Sequence, residues 1–169
     1  LISDHGGRPV MSKTGHSHMR NKIAECQAPL GGEFSGHIFF HDRWHGFDDG
    51  TYAAARLIEI MTLREQSLTE IIETFEPCHS TAEIKIAVDE SAKFAIVNAL
   101  KDESLFPNAK LTTLDGVRAD YPKAWGLVRA SNTSACLTLR FEAESTESLE
   151  KIKSLFRQQL SSIDASLTF

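Results

Sequence analysis

The sequence predicts an α/β unit followed by an α+β unit. In the first half, short strands alternate with segments whose apolar residues recur at helical spacing, which is typical of an α/β layer with a parallel or mixed sheet and flanking helices. In the second half, a hairpin and further strands lie between two helical segments, which favours an antiparallel sheet with two helices. Pro77 blocks helix continuation, so we place the boundary between residues 1–76 and residues 77–169.

The first half predicts three helical segments with strands between them. Residues 8–12 form a candidate strand, with a proline near its start where a missing donor is tolerated. Ser17 is a candidate N-cap for a helix ending near residue 27. Residues 48–50 provide the start of a second helix, and residues 63–80 read as a helix that leads into a linker.

The second half is dominated by strand signals. Residues 110–121 predict a hairpin, because Asp115 and Gly116 can adopt the positive φ angles of a two-residue type I′ turn. The other expected elements are strands at 82–88, 125–129 and 136–141 and helices at 91–101 and from about 146 onward.

Composition excludes several classes of function. The 169 residues include 18 Lys and Arg against 23 Asp and Glu, so the net charge of −5 argues against a general nucleic-acid-binding surface. The 3 cysteines lie far apart, which argues against a thiolate zinc site and a disulfide framework and favours a reducing cytoplasm. No apolar run approaches the roughly 20 residues of a membrane span, and no signal peptide is recognisable.

The run at residues 31–37, Gly-Gly-Glu-Phe-Ser-Gly-His, is the first candidate site. In an extended backbone, Glu33, Ser35 and His37 project to the same side, where they could hydrogen-bond a polyol. Phe34 would then point into a core, and the glycines would allow close approach of a ligand. The alternative is an ordinary strand and turn with solvated polar residues.

Residues 129–134, Arg-Ala-Ser-Asn-Thr-Ser, are the second candidate site. One guanidinium, several hydroxyls and an amide suit a phosphate, and successive backbone N–H groups of a tight loop could converge on it. The alternative is an ordinary polar connection between strands.

Histidines are dense in the first half. The spacing of His37, His41 and His45, with Asp48 nearby, suits a metal site only if they share a helix face, and the intervening residues favour a strand and a loop instead. We therefore predict no metal ligands in this chain. His16 and His37 adjoin glycine-marked turns, where a ligand can approach, and are the two candidate functional histidines.

Five motifs, taken in order along the chain, resemble those of the α-D-phosphohexomutase superfamily and, within it, the bacterial phosphomannomutase/phosphoglucomutase family. They are Lys-Thr-Gly-His-Ser at 13–17, the Gly-Gly-Glu run at 31–37, Asp-Asp-Gly at 48–50, Thr-Leu-Asp-Gly-Val-Arg at 113–118 and Arg-Ala-Ser-Asn-Thr at 129–133. Members of the superfamily have four domains around a deep cleft. The resemblance implies that residues 1–76 are the later part of the sugar-binding third domain and residues 77–169 the phosphate-binding fourth domain.

The resemblance also implies roles for individual residues. Glu33 and Ser35 match a loop that contacts sugar hydroxyls, and His37 matches a histidine with a proton-transfer or electrostatic role. The remaining positions bind substrate: His16 contacts the ligand, and the phosphate that is not being transferred is held by Arg129, Ser131, Asn132 and Thr133.

The function implied is interconversion of hexose 1-phosphate and hexose 6-phosphate, through a phosphoserine enzyme and a bisphosphorylated sugar. The superfamily's phosphoserine loop and acidic magnesium loop are absent from these residues, and Ser134 and Ala135 stand where relatives often have Thr-Pro. We therefore interpret the chain, which begins with Leu1, as a piece of a longer polypeptide whose other domains carry the serine and the Mg²⁺ ligands. Alone it is expected to be inactive.

Two other functions stay open from the sequence. One is a non-catalytic module that binds sugar phosphates, because the residues of 31–37 and 129–134 offer recognition without a complete catalytic set. The other is a histidine-based metal protein. Neither the sugar preference nor the oligomeric state follows from these motifs.

Overall fold

The computed structural model describes residues 1–169, which divide into two compact units, Leu1–Phe75 and Glu76–Phe169. The first unit contains, in order, α1 (His16–Cys26), β1 (Leu30–Gly32), β2 (Ile38–Phe40), α2 (Gly50–Arg64) and α3 (Leu68–Glu73). The second unit contains β3 (His79–Ser80), β4 (Ile84–Ala87), α4 (Lys93–Ala99), a 3-10 turn (Glu103–Leu105), β5 (Lys110–Thr112), β6 (Val117–Tyr121), β7 (Ala124–Ala130), β8 (Cys136–Ala143) and α5 (Thr146–Ile163). The predicted order of an α/β unit and an α+β unit is confirmed.

The first unit is built around a hairpin in which β1 and β2 pair antiparallel. The amide of Glu33 donates to the carbonyl of His37 at 2.9 Å, and the amide of Gly36, at φ 88°, donates to the carbonyl of Glu33 at 3.0 Å. Residues 33–37 therefore form the hairpin turn, and the predicted extended strand is wrong here. Phe34 lies at the tip of the turn and is 81% exposed, so its predicted place in a core is also wrong.

The predicted strand at residues 8–12 is not formed, and the sheet of this unit has two antiparallel strands. A strand without a neighbour leaves its backbone donors and acceptors to water, so the local pattern alone cannot hold it. The first helix begins two residues earlier than the Ser17 cap predicted, because Gly15 occupies the N-cap position with φ 122°.

Helix α2 begins where the sequence predicts. The side chain of Asp49 caps it by accepting from the amide of Tyr52 at 2.9 Å. The helix ends at Arg64, and a capping box between Ser67 and Glu70 starts the separate helix α3. No residue of α2 is buried, and its exposed apolar side chains include Leu57, Ile58, Ile60 and Leu63. The core of the unit is small and contains Ile23, Phe39 and Ile71.

The second unit is an antiparallel sheet on which α4 and α5 pack. The strand order is β3-β8-β7-β6-β5, with β4 also paired to β8. Phe156 of α5 contacts Phe141 edge-on at 5.2 Å between ring centroids. A side chain on Gly126 would collide with both rings, so this glycine allows the helix to approach the sheet closely.

The hairpin of β5 and β6 is confirmed, but its two-residue turn is not. Four residues, 113–116, connect the strands, and among them only Gly116 has a positive φ, of 89°. A Cβ on Gly116 would collide with the carbonyl of Val128 and with the backbone of Arg129. Contact with β7 therefore fixes this turn, which explains why the local pattern did not predict its length.

The chain contains no helix whose length and apolarity would let it cross a membrane. Its cysteines, Cys26, Cys78 and Cys136, form no disulfide.

Candidate functional site

The candidate site of the first unit lies at the β1–β2 turn, and we call it the hairpin site. The half-buried Glu33 accepts a hydrogen bond from the backbone amide of Gly15 through Oε1, at 2.6 Å. This bond ties the turn to the start of α1 and holds the carboxylate in one orientation. A carboxylate has about four lone-pair positions, so Glu33 keeps the capacity to accept from ligand hydroxyls.

His37 forms a pair with Asp48 in the hairpin site. Its Nδ1 lies 2.5 Å from Asp48 Oδ2, and the side chains are 53% and 23% exposed. An isolated bridge between Phe39 and Asp48 places the carboxylate beside β2. With Nδ1–H donating to Asp48, the neutral imidazole presents Nε2 as an acceptor. This arrangement can accept a proton at Nε2 and can stabilise the imidazolium that results.

Ser35 and His16 complete the hairpin site. Ser35 is exposed within the turn, between Glu33 and His37. His16 is the first residue of α1, directly after Gly15, and its ring lies 5.2 Å from that of Phe39. Glu33, Ser35 and His37 therefore lie in one turn, and the hydrogen bond from Gly15 to Glu33 joins that turn to the start of α1, where His16 lies. The sequence suggested an extended strand for these residues instead of a turn.

A charged network supports the segment that leads to Asp48. Both η nitrogens of Arg43 donate to Glu59, at 2.8 and 2.5 Å, and Nη1 of Arg56 donates to Asp42 at 3.0 Å. The hydrogen bonds from Arg56 hold the pKa of Asp42 below its ordinary value, and those from Arg43 do the same for the pKa of Glu59. These contacts fasten the loop after β2 to helix α2.

The candidate site of the second unit is the loop between β7 and β8, residues 129–134, which we call the anion loop. Nε of Arg129 lies 3.6 Å from Oδ2 of Asp115. This nitrogen is buried and donates no hydrogen bond. Asp115 lies in the β5–β6 turn, next to the glycine that packs against β7. A carboxylate at the Nε side orients the guanidinium and leaves the Nη1–Nη2 edge suited to bidentate contact with a phosphate.

Backbone amides of the anion loop donate to acceptors within the loop or next to it. The amide of Ser131 donates to the carbonyl of Cys136 at 3.0 Å, and the amides of Thr133 and Ser134 donate to Ser131 Oγ at 3.3 and 3.1 Å. The amides that the sequence suggested for an anion therefore converge on a serine oxygen. Ligand contacts are left to the exposed Asn132 and Thr133 side chains, the Ser131 hydroxyl proton and Arg129.

Three supporting residues at these sites were not predicted in their roles. Asp48 was considered as part of a helix start and as a neighbour of a metal cluster that we rejected, but not as a partner of His37. Because Asp49 alone provides the cap, the neighbouring carboxylate could have been recognised as available. Asp115 was taken only as a turn residue. Lys93, whose Nζ lies 3.2 Å from the Ser134 carbonyl, gave no local signal.

The chain contains no group of three or more His, Cys, Asp and Glu side chains placed to hold a metal ion. The rings of His41 and His45 are engaged elsewhere: His41 packs against Gly46, and His45 lies beside Trp44 with 5.2 Å between ring centroids. His37 is instead paired with Asp48.

Comparison with known proteins agrees with both units. Residues 1–78 match the model of "Phosphoglucomutase/phosphomannomutase, alpha/beta/alpha domain III", and residues 83–159 match that of the family's C-terminal domain. A phosphomannomutase/phosphoglucomutase of Pseudomonas aeruginosa is 54% identical over 167 residues, which are 99% of this chain and 36% of the relative. A phosphoglucomutase of Neisseria meningitidis is 40% identical, over 95% of this chain and 35% of the relative.

A crystal structure of a phosphoglucomutase/phosphomannomutase family protein from Burkholderia thailandensis superposes with a TM-score of 0.89 at 39% identity, covering 99% of this chain and 35% of that one. The chain thus spans about a third of the length of the relatives it matches. Sequence, fold and motif order agree over both units, and the chain belongs to the phosphoglucomutase/phosphomannomutase family, with its residues corresponding to domain III and the C-terminal domain.

Proposed function

We propose that the full-length protein containing this chain is a phosphohexomutase that interconverts hexose 1-phosphate and hexose 6-phosphate, with mannose, glucose or both as the sugar. The observation that carries the proposal is that one chain contains both sets of groups: a carboxylate, a hydroxyl and an imidazole at the hairpin site of domain III, and a guanidinium with hydroxyl and amide groups in the anion loop of the C-terminal domain. Relatives named phosphomannomutase/phosphoglucomutase support it.

In this proposal, the hairpin site recognises the sugar. Glu33 and Ser35 hydrogen-bond the hydroxyls, and His16 contacts the ligand from the start of α1. His37, with Asp48 holding its Nδ1, takes or returns the proton of the hydroxyl that gains or loses the phosphoryl group. Proton transfer through Nε2 requires no rearrangement of the ring, because the Asp48 pair is already formed.

The anion loop holds the phosphate that is not being transferred. Arg129 supplies a bidentate guanidinium, and Ser131, Asn132 and Thr133 supply hydroxyl and amide donors. In the first transfer, the bond from phosphorus to the serine oxygen breaks and a bond to the sugar oxygen forms. The bisphosphorylated sugar then reorients and returns its other phosphate to the serine, so the recognition groups must accept the sugar in two orientations.

The serine and the Mg²⁺ ligands belong, in this proposal, to other domains of the same polypeptide. No residues of this chain fit a Mg²⁺ site, and no serine in it lies within the phosphoserine motif. Mg²⁺ stabilises charge on a transferring phosphate when bound. The two domains of this chain, residues 1–76 and 77–169, are then expected to bind hexose phosphates but not to catalyse phosphoryl transfer. Unpaired cysteines favour a cytoplasmic location.

The test uses the full-length protein with Mg²⁺ and either glucose 1-phosphate or mannose 1-phosphate. Phosphorus NMR is expected to show conversion to the 6-phosphate, and Arg129→Ala is expected to raise KM. Intact mass should show one serine phosphorylated at substoichiometric level. Binding of hexose phosphates without any conversion, in protein that carries the phosphoserine, would contradict the mutase and favour the non-catalytic module.

A further inference from the structure

Lys93 is the one charged side chain in the buried part of the chain. It lies at the start of α4 and is 1% exposed, while its ion-pair partner Glu90, at 2.5 Å from Nζ, is 67% exposed. Burial of an ammonium group is costly, and replacement of buried charged groups by apolar side chains of similar volume is often neutral or stabilising in proteins. Stability of the core is therefore a weak explanation for a lysine at this position.

The ammonium group of Lys93 reaches the anion loop. Its Nζ donates to the carbonyl oxygen of Ser134 at 3.2 Å, and the amide of Cys136 donates to the same oxygen at 2.9 Å. The Ser134 carbonyl is thereby occupied from two sides. The amide of the same residue points to Ser131 Oγ, at 3.1 Å, so the peptide units around Ser134 are fixed at both polar ends.

We propose that Lys93 is a positioning residue for the anion loop. It holds the Ser134 carbonyl so that the loop amides stay on Ser131 Oγ, which leaves the Ser131 O–H free to donate to a phosphate. Its ammonium group also hydrogen-bonds the Ser134 carbonyl oxygen, whose partial negative charge would otherwise repel an anion at the loop. The inference rests on the proposed function only in naming the ligand as the phosphate of a hexose phosphate.

The position of the lysine in the chain supports a role through the loop rather than direct contact. Residues 93 and 134 are separated by 41 positions, and the side chain is enclosed by the unit, so Lys93 acts on the ligand through backbone atoms. Arg129 differs in this respect, because its side chain begins in the loop itself and is one-fifth exposed.

The test compares Lys93→Met with Lys93→Arg in the full-length protein. Methionine keeps an unbranched side chain of similar length but removes every donor, whereas arginine keeps charge and donors. Lys101→Met, just after the same helix and exposed, is the matched control. The measurements are kcat and KM for glucose 1-phosphate, the Kd of inorganic phosphate by calorimetry, and the thermal midpoint.

Loss of a charge-assisted hydrogen bond to the loop is expected to raise KM and the phosphate Kd by about tenfold, with kcat changed by less than about twofold. Arginine should restore most of the affinity, and Lys101→Met should behave as wild type. Unchanged KM and Kd in Lys93→Met would overturn the proposal. The proposal would also be overturned if Lys93→Met lowered kcat and the thermal midpoint together without raising KM, because that combination indicates a structural role.

If Lys93→Met does not fold, the double variant Lys93→Met/Glu90→Gln takes its place, because it removes both members of the ion pair and leaves no unpaired charge. Wild-type protein that fails to convert hexose phosphates would refute the proposed mutase. The phosphate Kd of the same variants would still decide the role of Lys93, so the two failures are distinguishable.

Discussion

Asp48→Asn tests whether the pair with Asp48 determines which ring nitrogen of the neutral His37 carries the proton. The carboxylate accepts from Nδ1–H at 2.5 Å, which leaves Nε2 as the acceptor. An asparagine amide at the same place can donate its N–H to Nδ1 and so favour the tautomer that carries its proton on Nε2. In that form Nε2 has no lone pair to take the proton of a sugar hydroxyl, and the lone pair of Nδ1 is occupied by the asparagine.

The size of the effect follows from the geometry of the pair. Hydrogen bonds to a charged group contribute about 1.5 to 3 kcal/mol, which corresponds to roughly 10- to 150-fold in a rate or equilibrium constant. Because His37 is 53% exposed, water screens part of the interaction, and the lower end applies. We therefore expect kcat to fall by about 10- to 30-fold, with a smaller change in KM.

The assay is the pH dependence of kcat in the full-length enzyme. Asp49→Asn is the matched control, because it removes the same charge one residue away and asparagine caps helices as well as aspartate does. The control should keep the wild-type rate. Equal rates for Asp48→Asn and Asp49→Asn across the pH range would refute the reasoning and remove proton transfer from the role of His37.

Three further predictions concern recognition and stability. Glu33→Ala should lower kcat/KM by about tenfold to a hundredfold, from the loss of roughly 1.5 to 3 kcal/mol of charge-assisted hydrogen bonding, and unchanged kinetics would exclude sugar contact. Arg129→Ala should raise KM more than Arg129→Lys does, because lysine keeps the charge but not the fork; equal effects would argue against bidentate contact. Hydrogen bonds from Arg56 hold the pKa of Asp42 below the ordinary value of about 4. The Arg56–Asp42 pair therefore stabilises the folded state above that pH, and this stabilisation is lost as the pH falls through the lowered pKa. Thermal midpoints measured from pH 7 down to pH 3 should therefore fall less steeply for Arg56→Gln than for wild type, and parallel curves would contradict this.

The elements that the sequence predicted well are those with a long periodic signal. Helix α5 and strand β8 have enough apolar positions to define both the type of structure and the buried face. Helix α2 was located by its capping residue. Other segments depend on hydrogen bonds that the local sequence does not reveal. Residues 33–37 have the alternating pattern of a strand, but two backbone hydrogen bonds close them into a turn.

The candidate ligand-binding residues could be proposed from motifs, but the residues that orient them could not. Asp115 reaches Arg129 because the β5–β6 turn packs against β7, and Lys93 reaches Ser134 across 41 positions. Such contacts depend on strand order and helix packing, which no local window of sequence contains. A buried lysine on a short helix reads, from the sequence alone, as a solvated charge.

The same arrangement is found at two of the candidate functional residues, His37 and Arg129. Each is paired with a carboxylate from another part of the chain: Asp48 with His37, and Asp115 with Arg129. Immobilising a long side chain on binding costs about 0.5 to 1.5 kcal/mol, and pairing in the free protein removes part of that cost before the ligand arrives. A chain with the Arg-Ala-Ser-Asn-Thr sequence but without an acid at position 115 should therefore hold phosphate several-fold more weakly. We therefore expect the phosphate affinity of this chain to depend on the motif together with the distant acid that orients Arg129.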